Sequence, residues 1–364
     1  MRIVSRKAAL SGLALLGTSA LVLTGCAAAP EDGNGAAEPA LDFLPCMVSD
    51  AGGFDDKSFN QLGYEGLVQA ADELGVEFNS VESASETDYA PNLTSLVEQG
   101  CDLIITVGFA LASAAAESAG DNPEIEYISI DDVVDTDFDG VTDFENIKPL
   151  VYDTAQAAFL AGYAAASFSK TGVVGTFGGQ NFPTVSIFMD GYAQGVAYHN
   201  EVKGTDVQVL GWDGTDGVFT GGFAAGTDAQ AAAQGLIDQN VDVILPVGGP
   251  IYQSAAAAIR DSGREIAMLG VDADVYDTDP SVGDLLLTSI RKAMDISVYE
   301  AVLAAGNGDF SNAPYVGTLE NGGVGLADFH DYESKVDPGL AAELAALSDA
   351  IISGDVVVTS YLAG

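Results

Sequence analysis

Short apolar runs alternate with longer stretches of helical period along almost the whole chain, and that rhythm limits the fold more than any other feature. Phe43–Ser49 reads as a strand, Phe59–Leu74 as a helix, Val76–Val81 as a strand and Tyr89–Gln99 as a helix. Strand Leu103–Val107, the Ala-rich helix Leu111–Ala119, strand Ile125–Ile130 and a further strand near Val141–Asn146 continue the pattern. A second round opens on the helix Pro149–Phe168. Strands follow at Gly172–Phe177, Val207–Trp212, Val241–Val247 and Ile266–Val271, with helices Thr184–His199, Asp228–Gln239 and Ile251–Arg260 among them. Leu285–Ile290, a helix Lys292–Ala305, a short strand near Val316–Leu319 and a helix Gly339–Ile352 close the chain. Units of this βαβ kind build parallel sheets covered by helices on both faces. At 364 residues the chain is too long for one ordinary core. The expected α/β architecture is two doubly wound parallel-sheet lobes, residues 41–147 with 289–313 and residues 148–288 with 314–364. Three crossings near Asn146–Pro149, Leu285–Ser289 and Ala313–Gly317 would form the hinge.

Charge removes several functions from consideration. Twelve Lys and Arg stand against 54 Asp and Glu, a formal charge of −42. Nucleic acid is an unsuitable partner, because so few cations cannot neutralise a run of phosphates. Disorder is excluded as well, since charged residues make up only 18% of the chain and the apolar runs recur regularly.

The first residues have a different character. Arg2, Arg6 and Lys7 precede the apolar stretch Ala8–Val22, which is too short to span a bilayer comfortably. It ends in Leu23-Thr24-Gly25-Cys26, which resembles a lipobox, where a peptidase cuts before the cysteine and the thiol carries diacylglycerol. Residues 1–25 are then a signal peptide, and 26–40 a small, polar, Gly/Ala-rich tether. Loss of Arg2, Arg6 and Lys7 takes the charge from −42 to −45. The expected location is the extracytoplasmic face of the cell membrane, with Cys26 holding the chain by lipid. An ordinary signal peptide with an incidental cysteine is the plainer alternative.

Cys46 and Cys101 remain, in a compartment where thiols pair. Each sits at the start of an expected strand. If the two strands are parallel neighbours, both cysteines lie at one edge of the sheet, within reach of a disulfide. Two buried free thiols are the other possibility.

Ligands of open α/β sheets bind beyond the carboxyl ends of the strands. Those ends here carry Asp50 to Asn60, Gly108-Phe109, Asp131-Asp132, Gly178-Gly179, Gly248-Gly249 and Asp272. Glycine permits close backbone approach and a carboxylate accepts hydroxyl hydrogen bonds. In so acidic a chain single acids mean little, and their joint placement is the signal.

Val48-Ser49-Asp50, Gly53-Phe54-Asp55-Asp56-Lys57-Ser58-Phe59-Asn60-Gln61 and Tyr64-Glu65-Gly66 resemble the opening of the basic-membrane-protein family. Phe159-Leu160-Ala161-Gly162-Tyr163, Ser169-Lys170-Thr171-Gly172, Gly191-Tyr192, Gly248-Gly249, Gly270-Val271-Asp272-Ala273-Asp274, Thr288-Ser289-Ile290-Arg291-Lys292 and Asn321-Gly322-Gly323-Val324-Gly325-Leu326 follow in the family's order. The likeness spans residues 41–330. It implies a type I periplasmic-binding-protein fold and a substrate-binding lipoprotein of an ABC importer, similar to bacterial purine nucleoside receptors. The partners it implies are a nucleoside and the transporter's permease subunits.

The resemblance also implies a pocket in which two aromatic rings sandwich a purine while acids and a lysine hold the base edge and ribose. Phe59, Asn60 and Asp50 match its opening motif. Phe223 matches the second ring, although the Gly-rich Trp212–Gly226 stretch is longer than usual and leaves Phe219 or Trp212 as substitutes. Asp131 matches the acid after its strand, with Asp132 adjoining. Gly249 matches the turn, Asp272 the ribose acid and Lys292 the ribose lysine. Core packing for the rings, and helix capping for Asp50 and Asp272, are the structural alternatives; for Lys292 it is a surface lysine at a helix start.

Other chemistries find less support. Asp135-Thr136-Asp137-Phe138-Asp139-Gly140 imitates the start of a calcium loop, but its twelfth position is Asn146 and no helix precedes it, so a solvated acidic loop fits better and no metal is expected. The two histidines, His199 and His330, are remote from the strand ends, which leaves little for a zinc site or a Ser-His triad. No phosphate loop or dinucleotide fingerprint is present, so no cofactor is expected. The reading is a monomeric, non-enzymatic receptor that closes on a nucleoside. Its rivals are a nucleoside hydrolase with a similar acid-rich cleft, and a lipid-anchored sensor or adhesin.

Overall fold

The computed structural model describes residues 41–137 and 141–362. The expected signal peptide, tether and Cys26, and residues 138–140 of the acidic loop, lie outside them. The chain runs β1 (Pro45–Val48), α1 (Phe59–Leu74), β2 (Asn79–Val81), α2 (Tyr89–Glu98), β3 (Leu103–Val107), α3 (Ala112–Asp121), β4 (Glu126–Ile130) and β5 (Ile147–Tyr152). It continues α4 (Thr154–Phe168), β6 (Val173–Gly178), α5 (Pro183–Lys203), β7 (Gln208–Leu210), α6 (Thr227–Ile237) and β8 (Val243–Val247). Next come α7 (Ile251–Ser262), β9 (Ala267–Asp272), α8 (Val275–Thr278) and β10 (Leu286–Lys292). The last elements are α9 (Met294–Gly306), β11 (Tyr315–Gly317), β12 (Val324–Leu326) and α10 (Leu340–Ser353).

Two six-stranded sheets result, in the orders β11-β5-β4-β3-β1-β2 and β12-β10-β9-β8-β6-β7. Every strand of the first has a counterpart at the same place in the second. All pairings are parallel except β10 with β12. The central strands are apolar on both faces, as a helix-covered parallel sheet requires: Leu103 to Val107 of β3 and Val243 to Val247 of β8 are buried throughout. A disulfide joins Cys46 to Cys101, which pins the start of β1 to the chain two residues before Leu103 of neighbouring β3.

Two expectations near the crossings need correction. Pro149 does not start a helix. It sits in β5 opposite Ser129, buried with its neighbours from Leu150 to Tyr152, and the helix begins at Thr154. A proline suits the first position of a helix, yet it is also tolerated in a strand where its missing donor costs no ladder bond. The segment Val141–Asn146 is accordingly not a strand. The crossings move with these elements. The chain leaves the first sheet after Tyr152, returns after Lys292, and leaves again between β11 and β12.

Helices α4 and α5 pack along each other in the second lobe at unusually short range. A Cβ on Gly162 would lie 2.0 Å from the Tyr192 carbonyl oxygen, and one on Gly195 would lie 1.9 Å from that of Phe159. Glycine at these positions lets the backbones touch.

Candidate functional site

The cleft between the sheets is built from strand ends. Asp50 follows β1, and its Oδ1 accepts from the Gly52 amide at 2.9 Å and from Asn60 Nδ2 at 2.7 Å. Asn60 Oδ1 accepts in turn from the Asp50 amide at 3.2 Å. Asp56 caps α1 from inside the same loop. Its Oδ1 accepts from the Ser58 and Gln61 amides at 3.0 and 3.1 Å, and its Oδ2 from the Asn60 amide and Nδ2 at 2.9 and 3.0 Å. These bonds fix Phe59 and Asn60, the first residues of α1, at the mouth of the first sheet.

Asp131 and Asp272 occupy matching places in the two lobes, one just beyond β4 and the other ending β9. Both adopt left-handed backbone, with φ of 67° and 66°. That conformation is costly for a residue other than glycine and recurs at functional sites. Here it turns both carboxylates toward Lys292, the last residue of β10. Lys292 Nζ lies 2.6 Å from Asp131 Oδ2 and 3.4 Å from Asp272 Oδ1. It also sits 4.9 Å from the Phe59 ring centre and 5.2 Å from that of Phe188.

Burial disfavours charge on Asp50, Asp131, Asp272 and Lys292. It pushes the Asp50 carboxyl up to about 6, although bonds from Gly52 and Asn60 pull the other way. It pushes Asp272 to about 6 as well, with Lys292 opposing and the Asp131 and Asp56 charges reinforcing the rise. Burial works against the Lys292 ammonium, but the two flanking carboxylates hold its pKa above the ordinary lysine value. The lysine therefore stays charged, while burial lifts the aspartates around it above the ordinary carboxylate range.

All eight positions expected to hold a ligand, from Asp50 to Lys292, line one cavity between the lobes. Lys292 is buried, not a surface lysine at a helix start. Phe223 is the ring from the second lobe. It lies over Gly179 and Gly248, where an added Cβ would come within 2.3 and 2.6 Å of the ring. Trp212 and Phe219 instead pack on each other behind it, with Trp212 Nε1 donating to Asp190. Asp131, not Asp132, faces the cavity.

Three further lining residues were not among the eight singled out, although Asp56 and Phe109 belong to the strand-end runs expected to face a ligand. Asp56 stood in the opening motif, three residues before the helix start, where an acid caps. Phe182 stood just before Pro183, a helix-start signal, and Phe109 just after Gly108. The two lobes also touch directly. Ser58 Oγ donates to the Val271 carbonyl at 2.9 Å, and Thr278 Oγ1 to the Lys57 carbonyl at 2.6 Å. Neither His199 nor His330 lines the cavity; His330 Nε2 pairs with Asp274 at 2.8 Å. In the acidic loop, carboxylates of Asp135, Asp137 and Asp143 come within 4.8 Å of one another. Among the described residues, no helix is long and apolar enough to cross a membrane.

Two topologically matched α/β lobes that meet over a polar, aromatic-lined cavity define a two-lobed solute-binding protein. Residues 43–356 match the family model described as Bmp, ABC transporter substrate-binding protein PnrA-like, and the chain belongs to that family. It is 29% identical to the CD4+ T-cell-stimulating antigen of Listeria innocua, over 95% of this chain and 96% of that one. It is 28% identical to the ABC transporter nucleoside-binding protein BmpA of Lactococcus lactis, over 88% and 91% of the two chains. Among solved structures, an ABC transporter solute-binding protein from Aeropyrum pernix superposes with a TM-score of 0.77 at 25% identity, covering 88% of this chain and 94% of that one.

Proposed function

We propose that this protein binds a nucleoside, with a purine favoured, between its lobes and delivers it to the permease of an ABC importer. The observation that carries the reading is the buried Asp131–Lys292–Asp272 cluster facing a cavity that Phe59 and Phe223 line from opposite lobes. A base presents two apolar faces to rings, and a ribose presents hydroxyls that both donate to carboxylates and accept from an ammonium. Four carboxylates (Asp50, Asp56, Asp131 and Asp272) stand against one lysine here, which disfavours a phosphorylated ligand. Cys26 carries the lipid anchor after removal of residues 1–25, and the monomeric receptor works on the extracytoplasmic face. Relatives described as substrate-binding and nucleoside-binding proteins support the reading.

A thermal-shift panel of purine and pyrimidine nucleosides, free bases, ribose and flavins tests it. Purine nucleosides should raise the melting temperature most. If none of the panel shifts it, the nucleoside assignment fails. Ligand recovered intact after denaturation separates a receptor from a hydrolase.

A further inference from the structure

Gly108, at φ 107°, turns the chain sharply at the end of β3 and delivers Phe109 to the rim of the cleft from the first lobe. Phe182 comes from the second lobe, held at the start of α5 because its carbonyl accepts from the Val185 and Ser186 amides at 3.0 and 2.9 Å. The two rings meet with centres 5.0 Å apart and planes tilted by 40°. Phe182 continues to Phe223, 5.9 Å away, so a row of three rings crosses from one lobe to the other. On the far side of the rim lies a second, open hollow, lined among others by Glu86, Asp132 and Gln180. Among the described residues, only Phe109, Ala110 and Phe182 line both spaces.

We propose that Phe109 and Phe182 form a two-part gate that seals the ligand cavity from the outer hollow. Each half rides on a different lobe, so the ring pair exists only when the lobes are closed. The gate adds to closure whether or not a ligand is present, and it must part before a ligand leaves. Its first effect is on escape rate, not on the contacts that recognise the ligand. It also limits ligand length, because anything reaching past the rings holds them apart and meets the Glu86 and Asp132 carboxylates. This inference rests on the nucleoside reading for its choice of ligand, but not for its account of closure.

The test therefore has two arms. Spin labels at Glu117→Cys on α3 and Ala231→Cys on α6, both exposed, report the separation of the lobes in the full-length, ligand-free protein. Phe109→Ala and Phe182→Ala should each move the distance distribution toward longer values, whereas Phe182→Leu, which keeps an apolar plug, should move it less. In the second arm, bound adenosine is chased from each variant. Either alanine should speed its release about tenfold, the double variant should be little faster than either single one, and association should not slow. An unchanged distance distribution overturns the gate. So do wild-type release rates, or two single effects that simply multiply. If adenosine binds no form of the protein, the nucleoside reading has failed, and the label distances still decide the gate.

Discussion

Lys292, which ends β10 in the second sheet, places its Nζ 2.6 Å from Asp131, which follows β4 in the first. One ion pair thus connects the two lobes inside the cavity, and it is shielded from water. Removing the cation leaves two buried carboxylates facing each other. Lys292→Ala should therefore cost roughly 3–5 kcal/mol of stability near neutral pH and abolish the nucleoside-induced thermal shift. Denaturant titration and the ligand panel measure the two effects. A variant that keeps full affinity removes Lys292 from the site.

Phe59 is buried at the first position of α1, with Lys292 Nζ near its ring centre. Phe59→Ala should weaken nucleoside binding by about 1–3 kcal/mol for every base, since stacking is indifferent to the base edge. Calorimetry across several nucleosides checks this. Loss confined to one base would mean that Phe59 reads an edge and does not stack.

Acid should affect stability and affinity in opposite directions. Asp50 and Asp272 hold their protons to about pH 6 in the folded protein, against an ordinary aspartate value of 3.8. Between those values the folded state binds more protons than the unfolded one, so these groups stabilise on acidification. Their contribution is complete below 3.8 and lost as the pH rises through about 6. Ligand hydroxyls that donate to these carboxylates need them ionised. Lowering the pH from 7 to 5 should then raise the melting temperature of the free protein and weaken nucleoside binding about tenfold per participating group. Asp272→Asn should flatten both slopes. An affinity that does not vary over this range would detach the carboxylates from recognition.

The Cys46–Cys101 disulfide closes a loop with a sequence separation of 55 at the sheet edge away from the cavity. A loop of that length is worth about 4 kcal/mol to the folded state on the chain-entropy model. The Cys46→Ala, Cys101→Ala double variant should melt well below the native chain yet bind nucleoside with unchanged affinity. Reduction should add the mass of two hydrogens to the unfolded protein.

Gly195→Ala should destabilise by about 1–3 kcal/mol or more, because the new methyl group meets the Phe159 carbonyl where α4 and α5 touch. Chemical denaturation measures it. Little effect would show that the two helices separate easily.

The sheet rhythm was legible because parallel strands are apolar on both faces and each ends at a polar or glycine turn. Asp50, Asp131 and Asp272 could be located for the same reason: a strand end is a fixed address. The choice of Phe223 over Trp212 and Phe219 came only from the resemblance, since all three lie in one irregular stretch. What selects Phe223 in three dimensions is the pair of glycines beneath it, Gly179 and Gly248, from two other strand ends. Pro149 misled because a single proline is compatible with both a helix start and a strand, and only its pairing with β4 decides. The Phe109–Phe182 contact was invisible for a deeper reason. It joins two loops that approach only when both lobes are folded and closed.

The matching order of the two sheets has a consequence for the direction of the cleft. Lobes built alike would by themselves offer a ligand two equivalent ways to lie. Asp131 and Asp272 keep that equivalence, at the same strand end with the same backbone. It is broken beside them, where β10 ends in Lys292 while its counterpart β5 ends in Tyr152, and where Asp50 follows β1 while Gly179 follows β6. At the Asp50 and Gly179 positions one lobe offers an acceptor and the other a bare floor for a ring. A molecule with one polar and one flat end can then seat in a single orientation, and it is the mismatches between near-identical halves that give the cleft a head and a tail.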